Sequence, residues 1–200
     1  EKTLPYYLQE DAIEKLLCAA DQEITDPSVR NKVMLYLLYA SGMRISELVH
    51  AKISHLDFTN NTLLITGKGN KQRIVPLTES IVILVQEYLE TVFVRLTIKQ
   101  GTRYETDYLF PTFYGGVLRA VTRQSFWLYI KTIARKAGLS SFFTPHHLRH
   151  SLATHLLKRG MNIRSLQMLL GHEKIDTVEV YTHLETSHLR IMYDKKHPRS

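Results

Sequence analysis

Between Ser54 and Leu77 the hydrophobic pattern leaves the helical period and takes up that of a strand, in a chain of 200 residues that otherwise reads as helix. Two strand-like runs, Thr62–Thr66 and Gln72–Leu77, flank Gly67-Lys68-Gly69-Asn70-Lys71. The glycines and Asn mark a hairpin-like turn with backbone freedom. Upstream, Gln9–Ala20 carries Ile13, Leu16, Leu17 and Ala20 at helical spacing. Asp26 as N-cap and Pro27 open a helix over Val29–Ser41, with Val33, Leu37 and Leu38 inward and Gly42 as the stop. A short helical piece follows over Ile45–Ala51. Glu79–Leu96 is helical by length, although its valines and isoleucines leave a strand open. Residues 98–120 read as a loop around the apolar piece Tyr108–Phe110. Gln124–Ala137 is a helix ended by Gly138. Thr144 as N-cap and Pro145 as first residue open a helix to Gly160. Asn162 caps Ile163–Leu170, which Gly171 ends, and residues 177–183 and 186–195 read as short helices. Strands and helices do not alternate. The expected class is therefore α+β, mainly helical with a small antiparallel β-sheet, and a doubly wound fold is excluded.

Charge narrows the function. Lys plus Arg number 26 and Asp plus Glu 19, a net +7. Residues 1–30 carry −4, so residues 31–200 carry +11. A basic body behind an acidic leader fits a polyanion such as nucleic acid, or simply a solvated basic surface. The composition, 44% hydrophobic and 22% charged, is that of a globular protein, and the length suits one domain of ordinary size. A single cysteine, Cys18, cannot form an internal disulfide or a Cys-based zinc finger, which makes a reducing compartment the default. No apolar run approaches the roughly 20 residues of a membrane-spanning helix. The chain opens on Glu1-Lys2 without a signal-like stretch, and is expected to begin inside a longer protein.

Chemistry-bearing residues gather after Pro145. His146 and Arg149 are three apart on one helix face and lie in its first turns, where free N–H groups and the helix dipole favour an anion. Together they make a phosphate seat or a solvated His/Arg face. His146 and His150 have a spacing that could hold zinc, but no Asp or Glu occurs from Leu148 to Lys158 and Arg149 between them repels a cation. Gly42-Met43-Arg44-Ile45-Ser46-Glu47-Leu48 could be a plain helix corner with a local Arg44–Glu47 ion pair. Taken singly, His172 is a packing group after Gly171, and Tyr181 a half-buried core residue.

The ordered set reads differently. GMRISEL at 42–48, GKGNKQR at 67–73, PHHLRH at 145–150, LGH at 170–172 and Tyr181 resemble the tyrosine recombinase (phage integrase) family in its Xer branch. That family's pattern is Arg, Lys, His-x-x-Arg, His or Trp, and Tyr, matched here by Arg44, Lys68, His146 with Arg149, His172 and Tyr181. The resemblance runs from Leu4 to Arg199. It implies the tyrosine recombinase catalytic fold over residues 9–186, an interdomain linker remnant at 1–8, and a C-terminal helix and tail at 187–200 for subunit contact. The family's N-terminal core-binding domain has no counterpart in this chain, so a monomer in solution is expected.

The implied reaction is site-specific DNA recombination through a 3′-phosphotyrosyl intermediate, in chromosome dimer resolution or, as the alternative, mobile-element integration. Tyr181 is the nucleophile, Arg44 and Arg149 clamp the non-bridging oxygens, Lys68 protonates the 5′-oxygen, His146 is the base, and His172 supports the phosphate and Tyr181. Glu47 is placed to orient Arg44 or His146. Lys71 and Arg73 in the hairpin are read as DNA backbone contacts, and His150 as structural. No nucleotide, metal or other cofactor is required, because the covalent intermediate retains the phosphoester bond. The implied partners are double-stranded DNA, homologous recombinase subunits in a tetramer, and an activating DNA translocase, in a cytoplasmic, nucleoid-associated setting. Two different-class readings are a DNA-binding module without catalysis and a metal-dependent nuclease.

Overall fold

The computed structural model describes residues 7–139, 144–171, 193 and 195–198, with the backbone alone at Lys68. Helix α1 (Glu10–Asp21) turns its apolar stripe, Ile13, Leu16, Leu17 and Ala20, fully inward. Helix α2 (Asp26–Ser41) is buried on nearly every side, from Arg30 through Ser41. It is the central pillar, packing against α1 and later against the helices Glu79–Tyr88, Arg123–Lys136 and Pro145–Lys158. Its cap differs by one residue from the sequence reading. Thr25 is the N-cap, its hydroxyl accepting from the Ser28 N–H at 3.3 Å. Asp26 instead takes a two-oxygen grip from Arg95.

After Gly42, α3 (Ile45–Val49) forms a single short turn of helix. The chain then builds an antiparallel sheet in the order β1 (Leu56–Asp57), β2 (Thr62–Thr66), β3 (Gln72–Pro76). Register pairs Ile65 with Arg73 and Leu63 with Val75. Helix α4 (Glu79–Tyr88) continues through a π-helical turn, Leu89–Phe93, into α5 (Val94–Leu96), which settles the helix-or-strand ambiguity of this stretch.

The expected loop at 98–120 is two hairpins. β4 (Ile98–Lys99) pairs with β5 (Thr102–Arg103), and β6 (Pro111–Tyr114) pairs with β7 (Val117–Ala120). The described residues thus hold three small antiparallel sheets rather than one. A buried cation anchors the last hairpin: Arg30 of α2 donates to the Pro111 carbonyl at 2.9 Å and to Asn31 Oδ1. Helices α6 (Arg123–Lys136), α7 (Pro145–Lys158) and α8 (Ile163–Leu170) complete the body, with Thr122, Thr144 and Asn162 at their N-caps.

One apolar core runs through these elements, including Leu16, Leu38, Leu48, Leu63, Phe110, Phe126 and Leu152. Each fully buried large side chain contributes about 2 kcal/mol relative to exposure. The opening segment joins this core at its end. Leu8 is buried, and its N–H donates to Ser151 Oγ of α7 at 2.8 Å. At the other end, Tyr193 is buried and donates to the Ala40 carbonyl, and the His197 ring packs on Tyr39 and Tyr193. The expected helices at 177–183 and, for most of its length, 186–195 lie outside the described residues.

Two histidines tie this packing to pH. His155 is 1% exposed and shares a 2.9 Å hydrogen bond with Tyr39 Oη through Nδ1. His147 accepts the Thr144 N–H on its Nδ1 at the start of α7. Burial holds the pKa of each below the ordinary histidine value. Unfolded, both titrate near about 6.5, so the unfolded chain binds protons that the native state refuses. Their contribution to stability is complete above that pH and is lost as pH falls below it. Urea midpoints are therefore expected to drop between pH 7.5 and pH 5.5, and His155→Gln should flatten the drop. A midpoint that rises on acidification, or an unchanged slope in the variant, contradicts this origin.

Candidate active site

The site is assembled at the corner between α2 and α3. Gly42 ends α2 in the left-handed region, φ 60°, with its N–H on the Leu38 carbonyl. A Cβ there would be strained by the left-handed φ and would lie 2.7 Å from Leu170 Cδ2, so glycine suits the close approach of the end of α2 to α8. Two residues on, Arg44 is the N-cap of α3 and Glu47 its third residue. Glu47 Oε2 accepts the Arg44 backbone N–H at 2.7 Å, and Oε1 accepts from Arg44 Nη1 at 3.1 Å. The short helix and the orientation of Arg44 are fixed by the same carboxylate. The sequence reading of Glu47 left Arg44 and His146 both open as its partner, and the geometry gives Arg44.

Arg149 arrives from the second turn of α7. It donates to the Gly42 carbonyl and to the Leu170 carbonyl at the end of α8, with 8% of its surface exposed. Burial, and then the neighbouring charges of Arg44 and Arg73, bring its pKa down to about 10. It remains a cation at neutral pH. His146, three residues earlier, is exposed at the start of the same helix.

Arg44, His146 and Arg149 line one open cleft of about 850 Å³, with Thr122, Arg123 and Trp127 on its far wall. Sequence reasoning missed Trp127. It is 39% exposed, and the Lys131 ammonium lies 3.6 Å from its ring centroid. The helical spacing of Trp127 and Lys131 was the available signal. A second depression of about 630 Å³ adjoins it, lined by Arg44, Glu47, Gly67, Asn70 and Gln72. Arg44 belongs to both. Lys68 lies on the turn whose Gly67 and Asn70 line this depression: Lys68–Asn70 is a tight turn, closed by the Gly67 N–H on the Lys71 carbonyl at 2.8 Å. A Cβ on Gly67 would sit 3.2 Å from Glu47 Oε1, so the turn begins against the carboxylate that holds Arg44. His172 and Tyr181 lie outside the described residues, which end this stretch at Gly171.

The two hairpin cations part company. Lys71 is exposed on the turn, as a DNA contact requires. Arg73 corrects the reading of it as a DNA backbone contact. It is 8% exposed and grips Glu47 with Nη1 on Oε1 and Nη2 on Oε2, both at 2.8 Å, with Nε on the Leu169 carbonyl at 3.3 Å. Burial raises the Glu47 carboxyl, but the Arg73 hydrogen bonds and charge, reinforced by Arg44, outweigh it and hold the group below the usual carboxylate range. The signal was in the strand period: Arg73 and Val75 share the buried face of β3.

Chemically, the cleft offers three guanidiniums, of Arg44, Arg123 and Arg149, and the imidazoles of His50 and His146 around one opening. The start of a 14-residue helix with no acidic residue in its first turn lies at the same opening, through Thr144, Pro145 and His146. Such an arrangement suits a phosphate diester and the extra charge of its transition state.

The family model described as Phage integrase family matches residues 6–188. A tyrosine recombinase XerD of Listeria innocua serovar 6a is 39% identical over 199 residues, which are 100% of this chain and 65% of that protein. A tyrosine recombinase XerD of Proteus mirabilis is 41% identical over 201 residues, 99% of this chain and 61% of its own length. The chain thus spans just under two thirds of these relatives. Among solved structures, the XerA recombinase superposes with a TM-score of 0.71 at 33% identity, covering 100% of this chain and 66% of that one. The XerH recombinase bound to its difH substrate gives a TM-score of 0.71 at 28% identity, covering 94% and 51%. With nearly every residue from the α1 approach to the C-terminal segment matched by one family model, the chain belongs to the phage integrase family.

Proposed function

We propose that this chain cuts and rejoins DNA strands at a specific site through a covalent tyrosyl link, as the catalytic part of a tyrosine recombinase. The observation that carries the reading is the convergence of Arg44, His146 and Arg149 on one cleft, with Arg44 and Arg149 each held by hydrogen bonds. The similar XerH site-specific recombinase was solved bound to its difH substrate in a pre-cleavage complex, which supports a cleavable recombination substrate, a duplex in this reading, as the occupant. In the first step the Tyr181 oxygen attacks phosphorus, a new Tyr–O–P bond forms, and the P–O5′ bond breaks. The phenol proton goes to His146, and the departing 5′-oxygen takes a proton from Lys68. Arg44 and Arg149 hold the non-bridging oxygens as negative charge builds, with His172 alongside. A second 5′-hydroxyl reverses the step on a new strand.

Resemblance to the Xer branch favours chromosome dimer resolution over mobile-element integration as the use of this reaction. The proposed partners are double-stranded DNA, further recombinase subunits, reached by the segment after Tyr181, and an activating DNA translocase. The proposed setting is the cytoplasm. Among the described residues no helix is long and apolar enough to cross a membrane.

Nicked duplexes prepared from the source genome test the reaction. The chain should yield an SDS-resistant protein–DNA adduct in the presence of EDTA, and Tyr181→Phe should bind the same duplexes without forming it. An adduct on another tyrosine overturns the assignment, and cleavage abolished by EDTA favours a metal-dependent nuclease.

The role of Lys68 has its own test. Sulfur in place of the bridging 5′-oxygen makes a leaving group that needs no proton. Lys68→Ala should be slow on ordinary DNA and near the wild-type rate on the sulfur substrate, while Arg149→Ala stays slow on both. If sulfur fails to rescue Lys68→Ala, the general acid lies elsewhere.

A further inference from the structure

The Arg73 guanidinium occupies a position that a DNA contact could not use and that a mere core ion pair does not need. Its planar fork meets the Glu47 carboxylate with one nitrogen to each oxygen at 2.8 Å, the bidentate geometry that only arginine supplies. Its third nitrogen reaches across to the Leu169 carbonyl in the last turn of α8. The far side is closed by Gly171, φ 64°. A Cβ there would lie 2.9 Å from Arg73 Cδ and 3.0 Å from Nε, so any other residue would push the side chain off its seat. Each Glu47 oxygen is shared: the atoms that accept from Arg73 also accept the backbone N–H and Nη1 of Arg44. The next carbonyl of α8, that of Leu170, is held by Arg149.

We propose that Arg73 is the positioning residue of the phosphate site, clamping through Glu47 the arginine that faces the cleft and through Leu169 the end of α8. The inference rests on the strand-transfer reading above. Three guanidiniums, of Arg44, Arg73 and Arg149, surround a single carboxylate. Arg73 satisfies that carboxylate from the buried side, which leaves the exposed Arg44 oriented by Glu47 without being neutralised by it alone. The α8 terminus, with two carbonyls tied to Arg73 and Arg149, fixes where the chain leaves Gly171 toward His172. Loss of the clamp removes no group that touches DNA. It frees the rotamer of Arg44 and the last turn of α8, so binding is preserved and the chemical step is slowed.

The test separates chemistry from binding. The probe is the nicked duplex captured by the wild-type chain in the trapping experiment, and the variants are R73M, R73K, E47Q and R73M/E47Q. Duplex affinity and its salt slope are expected to stay within about twofold of wild type, because phosphate contacts set both. Single-turnover adduct formation at saturating protein should fall about 10- to 100-fold in R73M, the range typical of residues that orient a reacting group's ligand. R73K, keeping the charge without the fork, should recover part of the rate. R73M/E47Q should be no slower than the slower single variant, since the two side chains act as one unit. R73M strands a buried carboxylate. If that variant does not fold, the double variant, which removes both charges, carries the same comparison against E47Q. A weakened affinity with a shallower salt slope and an unchanged saturated rate makes Arg73 a DNA contact and overturns the proposal. So does a wild-type rate in R73M, and so do additive losses in the double variant. No adduct from the wild-type chain overturns the strand-transfer reading, and the positioning role with it.

Discussion

A single buried carboxylate holds the corner of this molecule together. Glu47, with 3% of its side chain exposed, receives four hydrogen bonds from two arginines. It caps α3, attaches that helix to β3, and through Arg73 attaches both to the end of α8. An ion pair of this kind adds little net stability compared with well-packed apolar residues. Removing one partner alone is costly, about 3–5 kcal/mol, because a charge is left buried without compensation. The pairing therefore specifies geometry more than it stabilises the fold. Glycine at 42 and 171 is required by the same corner, since side chains there would collide with Leu170 and with Arg73.

The electrostatic result is a cation surplus fixed before any ligand arrives. Arg149 has given up solvent for two carbonyls and still remains charged, its pKa at about 10. Arg44 stays at the surface, oriented from behind. Donors held in this way need no reorganisation when charge develops on a phosphate, which is the most effective form of electrostatic catalysis. Histidine enters from the same helix as Arg149. One element thus carries both the proposed base, His146, and the proposed phosphate clamp, Arg149, at a fixed three-residue offset.

Much of this was readable from the sequence where one force dominates. The β2–β3 hairpin follows from its period of two and its glycine-bearing turn, and the start of α7 from Thr144-Pro145. The α2 cap was misplaced by one residue because Thr25 and Asp26 are both competent caps and the long-range pull of Arg95 on Asp26 decides between them. Strands of two to four residues with half-exposed faces leave little periodic signal, so the sequence pattern of 98–120 is that of a loop although it folds as two hairpins. Arg73 was misread because its charge suggested solvent while its place in the strand pointed inward. Only the meeting of Glu47, Arg73 and Leu169, far apart in sequence, decides between the two.

The most direct test is a crystal structure of the chain on a nicked duplex with vanadate at the cut, mimicking the pentavalent phosphate. Arg44 and Arg149 should each place a guanidinium nitrogen about 3 Å from non-bridging oxygens of the same vanadate, with Arg73 still seated on Glu47 and the Leu169 carbonyl. Vanadate bound away from these two arginines, or Arg73 released from Glu47 to contact it, would contradict the assignment of this corner as a pre-organised phosphate site.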